Sequence, residues 1–208
     1  MRTLSLAESV KMLKKHGIKF AEHGEAKTSE ELNKICKRIG FPIAMKINSK
    51  QISHKTESGG VEINISNFSE AKKVFGKMRK LKGFESVLVQ KMLKGKEIII
   101  GGKRDVQFGG TVLVGLGGIF VEIFQDVQIG ICPVNTKTAR EMIETLKAYP
   151  LLKGYRGKKG VNLKKLEEII VKVSKLMEKN ESIIELDLNP LIGDEKNITA
   201  VDARVVVE

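Results

Sequence analysis

Four side chains have the types and spacing for phosphate chemistry: Lys46 and, near the end of the chain, Asp187, Asn189 and Asp202. Mg²⁺ takes hard oxygen ligands, a few from protein and the rest from water and the nucleotide's own phosphates. Asp187 and Asn189 stand two residues apart in a strand-like run, so they project from one face. Lys46 closes an apolar run and is followed by a polar segment ending in Ser58-Gly59-Gly60. An ammonium group there acts on phosphate as a point charge, and glycine N–H groups turn toward an anion without Cβ interference. Between them lies His54, followed by Lys55. An unperturbed imidazole, with a pKa of about 6.5, is largely neutral near pH 7 and can attack phosphorus. Each group also has an ordinary reading: a solvated histidine, one exposed lysine among many, polar residues on the wet face of a hairpin.

Several elements must position these groups. Ser5 with Glu8 and Thr28 with Glu31 form capping boxes, in which hydroxyl and carboxylate satisfy free donors of a first helical turn. The helices they start bury Leu6, Val10 and Leu13, then Leu32, Ile35, Cys36 and Ile39, with Gly17 and Gly40 as stops. A strand-like stretch at 18–21 follows the first helix, and Pro42 leads from the second into a strand over 43–47. Residues 61–65 alternate with period two, a helix from Ser69 buries Val74, Phe75 and Met78, and strands over 86–92 and 97–101 read as a hairpin turning at 93–96.

Residues 111–134 read as a sheet broken by Gly115, Gly117-Gly118 and Gly130. Thr138 starts a capped helix that ends before Pro150, and 153–160 is an exposed basic connection or, through Arg156, an anion contact. Asn162 caps a long helix burying Leu166, Ile169, Ile170, Val173 and Leu176. Two strands, 183–192 and 198–206, close the chain. A turn centred on Glu195-Lys196 places Asn189 opposite Asp202 and Asp187 opposite Arg204, and a slip of one residue would part the candidate metal ligands.

The chain has 208 residues, enough for one large domain or two small ones, and a formal net charge of +12. No apolar run approaches a membrane span, and the first residues lack a signal-peptide core, so a cytoplasmic protein is expected. Cys36 and Cys132 read as small core residues. The positive charge raises a basic nucleic-acid-binding protein as an alternative. Yet the lysines recur on nearly every expected helix rather than in one stripe, and only 5% of residues are aromatic, so no nucleic acid is expected. The excess suits nucleotide, phosphate and an acidic partner subunit.

Gly40-Phe41-Pro42-Ile43-Ala44-Met45-Lys46-Ile47, His54-Lys55, Ser58-Gly59-Gly60-Val61, Val89-Gln90-Lys91-Met92, Gly101-Gly102-Lys103-Arg104-Asp105, Gly115-Leu116-Gly117-Gly118 and Glu185-Leu186-Asp187-Leu188-Asn189-Pro190 occur in an order that resembles one family. It is the ATP-grasp β subunits of ADP-forming acyl-CoA (acetyl-CoA) synthetases, related to succinyl-CoA synthetase β subunits. The resemblance covers nearly the whole chain. It implies an α/β ATP-grasp fold of two α+β lobes with nucleotide between them: one domain over 1–208, a subdomain of roughly 18–90 set against a lobe of roughly 91–208, and the N-terminal helix packed on it.

It further implies ATP or ADP contacts from Lys46, Lys55, Ser58, Gly59, Gly60, Gln90, Met92, Glu97 (to the ribose) and Arg104. Mg²⁺ would sit on Asn189 and Asp202, with Asp187 as an outer or second ligand. The implied reaction is acyl-CoA + ADP + phosphate giving acid + ATP + CoA, with His54 as a phosphoryl carrier and a CoA-binding α subunit as partner in an α2β2 assembly. Two departures stand out: Gly130 where relatives usually have arginine, and Thr56-Glu57 in the histidine segment. They keep open a second reading, a non-catalytic regulatory module of the sort attached to protein acetyltransferases.

Overall fold

Seventeen residues whose apolar side chains recur every three or four positions, Leu163–Lys179, make the longest helix among the described residues, and it belongs to the larger of two compact units. The computed structural model describes residues 1–49, 59–118 and 124–208. The chain divides into one unit of Met1–Phe20 with Lys94–Glu208 and another of Ala21–Leu93.

In chain order the described elements are β1 (Arg2–Thr3), α1 (Leu6–Lys15), β2 (His23–Ala26), α2 (Ser29–Ile39), β3 (Ile43–Ser49), β4 (Val61–Ile65), α3 (Phe68–Met78), β5 (Phe84–Lys91), β6 (Lys96–Asp105), β7 (Gly109–Leu116) and β8 (Val127–Ile131). There follow α4 (Thr136–Glu144), α5 (Tyr149–Lys153), β9 (Gly154–Tyr155), β10 (Lys158–Lys159), α6 (Leu163–Lys179), β11 (Ile183–Gly193), β12 (Ile198–Ala200) and β13 (Arg204–Val207).

In the Ala21–Leu93 unit an antiparallel sheet of order β2-β5-β3-β4 carries α2 and α3 on one face. Ile43, Met45, Val87 and Val89 alternate onto that face, where they meet Leu32, Cys36, Val74, Phe75 and Met78. Each large side chain removed from water there contributes about 1.5–3 kcal/mol. The Phe75 and Phe84 rings meet edge to face, 6.1 Å between centroids. Both capping boxes form as expected, at Ser5 and Thr28.

The other unit holds a seven-stranded antiparallel sheet of order β1-β13-β11-β6-β7-β8, with β12 also on β11. Leu166, Ile170, Val173 and Met177 of α6 are buried with Ile98, Ile100, Val112, Val114, Leu186 and Leu188 of the strands. Gly102 permits this approach: a Cβ there would lie 2.7 Å from Met177 Cγ. Beside α6 lies α4, tied to it by the bidentate pair Arg140–Glu167 (2.9 and 3.3 Å), whose carboxylate is 5% exposed. Asp126, also buried, accepts from the N–H groups of Lys147 and Ala148 and so fixes the entry to α5.

Several local expectations are corrected. Strands β5 and β6 lie in different sheets, so 86–101 is a crossover and not a hairpin; the apolar runs were right, but nothing local encodes which sheet each joins. Stretch 18–21 makes only an isolated bridge, Phe20 to Ala200, and the strand is His23–Ala26. Asn67 and Asn135 cap α3 and α4, where Ser69 and Thr138 lead by pattern alone. Pro150 lies in the first turn of α5, where a missing N–H costs nothing.

Candidate functional site

The candidate residues fall on two sheet faces, one in each unit. In the Ala21–Leu93 unit, Lys46 lies within β3 rather than at its end, because the strand runs on to Ser49. It pairs with Leu88 on one side and Val61 on the other, and it alternates away from the helix-covered face. Gln90, opposite Ala44 and His23, shares that face and is 2% exposed. Gly60 follows directly: its carbonyl accepts from Ile47 N–H at 2.7 Å. Gly59 is exposed, with φ +69° and open space where a Cβ would stand, while Gly60 is buried. Met92 N–H donates to Pro42 C=O at 3.1 Å at the end of the unit. Sequence reasoning missed Glu25 on the same face, which accepts from the Ser86 hydroxyl and from Asn48 Nδ2 (3.4 Å). Only period-two alternation in β2 and β5 could have pointed to that group. His54, Lys55 and Ser58 lie outside the described residues.

In the larger unit, β11 pairs with β13 through Leu186–Val205 and Asp187–Arg204, and with β12 through Leu191–Ala200 and Gly193–Ile198. The register is the same on both sides of the gap, and Val201 N–H donates to Pro190 C=O at 3.0 Å across it. Asn189 therefore lies opposite Asp202, as the turn at Glu195-Lys196 requires. The turn itself is closed by Asp194, whose carboxylate accepts from Lys196 and Asn197 N–H at 2.7 Å each. On its other side β11 slips by one residue against β6 between Leu188 and Leu191, a β-bulge at Asn189-Pro190.

Glu185, Asp187 and Asn189 thus face away from α6, while Leu186 and Leu188 face into the core. On the same open face β6 contributes Glu97, at the level of Ile192, and Gly101, at the level of Asp187. Glu97 is held close: Gly117 N–H donates to its C=O at 2.8 Å, and a Cβ on Gly118 (φ +65°) would stand 2.7 Å from Glu97 Oε2.

The electrostatics are those of crowded acids. Burial first, then Glu185 and Asp202, push the Asp187 carboxyl up to about 6, against the relief given by Arg204. Arg204 also pairs with Glu185 at 3.3 Å. Two half-buried carboxylates and an exposed amide oxygen on one face fit a divalent cation that shares its remaining positions with phosphate and water.

Arg104 is not part of this face. Its Nη2 donates to Met177 C=O (2.6 Å) and Asn180 C=O (3.0 Å), so it caps the C-terminus of α6 on the covered side. That departs from its expected nucleotide contact. Gly130 also faces the helices, where a Cβ would stand 2.9 Å from Met142 Sδ. Its lack of an arginine therefore removes nothing from the open face.

Sheet, carboxylate face and glycine segments together describe a nucleotide-binding α/β domain, and residues 1–207 match the ATP-grasp domain family. A β subunit of acetate–CoA ligase [ADP-forming] I from Pyrococcus furiosus is 43% identical, over 99% of this chain and 92% of that one. An acetate–CoA ligase [ADP-forming] I from Archaeoglobus fulgidus is 37% identical over 97% of this chain, which spans only 30% of that relative's length. The solved dinucleotide forming acetyl-coenzyme A synthetase 1 of Ca. Korarchaeum cryptofilum is similar in structure. In complex with coenzyme A, Ca-AMPCP and HgCl+ it gives a TM-score of 0.93 at 37% identity, covering 100% of this chain and 94% of that chain. In complex with coenzyme A and Mg-AMPPCP, its phosphohistidine segment points towards the nucleotide binding site (TM-score 0.88, 35% identity, 99% and 93% covered). This chain belongs to the family of ATP-grasp β subunits of ADP-forming acetate–CoA ligases.

Proposed function

We propose that this chain is the nucleotide-handling β subunit of an ADP-forming acid–CoA ligase, working with a CoA-binding α subunit. The overall change is acyl-CoA + ADP + phosphate giving free acid + ATP + CoA. The observation that carries the reading is the shared face of Asp187, Asn189 and Asp202 in a chain of this family, with the register that keeps Asn189 opposite Asp202.

Lys46 and the Gly59-Gly60 backbone offset phosphate charge, as a point charge and as neutral donors respectively. Asn189 and Asp202 would hold a divalent ion directly, with Asp187 as an outer or second ligand. When bound, the ion screens the phosphates and orients them for in-line transfer. His54 carries the phosphoryl group. The partner subunit makes the acyl phosphate and takes its phosphoryl group onto a histidine of its own, releasing the acid; the neutral His54 imidazole then attacks that phosphorus and frees the partner's histidine. ADP then takes the group from phosphohistidine to give ATP and free imidazole.

The test is to incubate the complex co-expressed with its CoA-binding subunit with acetyl-CoA, ADP and labelled phosphate. Acid-labile label on this chain, absent in His54→Ala and His54→Asn, and ATP formation lost with it, are expected. Full ATP synthesis in His54→Ala would remove the carrier role. No ATP from a stably assembled wild-type complex would favour the regulatory reading.

A further inference from the structure

Strands β9 and β10 pair Tyr155 with Lys158 and Gly154 with Lys159, leaving a two-residue turn of Arg156-Gly157 with φ +49° and +76°. Positive φ at both positions is the geometry of a type I′ hairpin, whose first position favours Asn, Asp or Gly. Arginine there is conformationally disfavoured, and the fold does not need it, since glycine would make the same turn with less strain.

The hairpin is held firmly. At its base Leu152 is fully buried, its carbonyl accepts from Val161 N–H at 2.7 Å, and Gly160 packs against the Leu152 and Lys153 carbonyls. Lys159 pairs with Glu195 of the β11–β12 turn at 2.6 Å. At the tip the Arg156 guanidinium lies 5.4 Å from the centre of the Tyr155 ring, which is 54% exposed.

Charge converges on the same place. From Lys153 to Lys165 the chain carries six cations, Lys153, Arg156, Lys158, Lys159, Lys164 and Lys165, and no carboxylate, and all six are exposed. Among the described residues none offers Arg156 or Lys158 an ion pair. Scattered lysines, as the composition suggested, account for the helices but not for this protrusion.

We propose that the Tyr155-Arg156 hairpin is a docking finger for an acidic concavity on the CoA-binding partner subunit. The inference rests on the β-subunit reading above. The finger is convex, so it suits insertion into a partner rather than enclosure of a small anion. Tyr and Arg are the side chains that dominate protein interfaces, and a preordered hairpin loses little entropy on docking. A single exposed ring does not make the stacking track that single-stranded nucleic acid requires.

The test uses the whole chain and its co-expressed CoA-binding subunit, with the dissociation constant measured at about 50 and 300 mM salt, on either side of the roughly 10 Å screening length. Arg156→Glu/Lys158→Glu is expected to weaken association at least tenfold at low salt and to flatten its salt dependence. Arg156→Gly keeps the turn and relieves its strain, so it should weaken association several-fold while the unfolding midpoint holds or rises. ADP affinity of the isolated chain should stay unchanged in both. Wild-type association in the charge-reversed variant would overturn the finger alone. If the wild-type chain failed to associate at all, the β-subunit reading would fall and the finger with it. Loss of duplex DNA binding, with subunit affinity retained, would reassign the patch to nucleic acid.

Discussion

Asn189 and Asp202 stand opposite one another on the closing hairpin, at positions set by Asp187–Arg204 on one side and Leu191–Ala200 on the other. Cross-strand neighbours on one face lie about 4.5–5.5 Å apart at Cβ, close enough for two short side chains to share one ion.

If they do, Asp202→Asn and Asn189→Leu should each weaken Mg·ADP binding about tenfold or more, equivalent to ~1.4 kcal/mol, and leave metal-free ADP binding nearly unchanged. Calorimetric titration with and without EDTA checks this. Equal weakening in both conditions would place the two residues outside the metal site.

Asp187 gives the metal-free protein a pH dependence. Its folded pKa of about 6 lies above the ordinary carboxylate value of 3.8, so the folded chain holds this proton more tightly than the unfolded chain. The associated stability is fully present below pH ~4 and is lost as pH rises through about 6. Urea midpoints in EDTA should therefore favour Asp187→Asn over wild type at pH 7.5, with the gap closing toward pH 4.5. A gap independent of pH would contradict the buried, acid-crowded setting.

Gly130→Arg tests which way that position faces. A long cation placed against Met142 and Val134 should destabilise by about 1–3 kcal/mol or more through overpacking, with no gain in phosphate or ADP affinity. Thermal unfolding and nucleotide titration read the two effects separately. Tighter nucleotide binding would mean that the side chain reaches the open face.

Arg104→Ala should cost about 1.5–3 kcal/mol, because it strips charged hydrogen bonds from the last carbonyls of α6, and should leave Mg·ADP affinity intact. Amide exchange across 176–180 would rise in step. A selective loss of nucleotide affinity would restore the role first expected from the sequence.

The parts legible in the sequence were those carried by local chemistry. Ser5-Glu8 and Thr28-Glu31 are complete capping boxes within four residues, and the closing turn at Asp194–Asn197 fixes a register that propagates along both strands. The contacts of Arg104 with the end of α6 were not legible, because strand alternation gives two faces but not which one a helix covers; that depends on α6, some seventy residues later. The crossover after Lys91 was misread for a related reason, since two apolar runs with a short polar connection look alike whether they pair or part. Resemblance supplied what pattern could not, the expectation that the carboxylate face holds Mg²⁺.

The bulge at Asn189-Pro190 sets a reading frame for the strand. Before it the inward residues are even-numbered, Leu186 and Leu188; after it they are odd, Leu191 and Gly193. The facing strands make a matching switch, from Ala203 and Val205 to Ile198 and Ala200, and so stay in step with β11. Losing one residue here would leave Leu191 inward and in step with β6, yet would slip the far half of β11 by one residue against β12, like a frameshift between two strands whose amino acids stayed the same. This stretch should therefore accept substitutions far more readily than changes in length, a constraint set by counting rather than by chemistry.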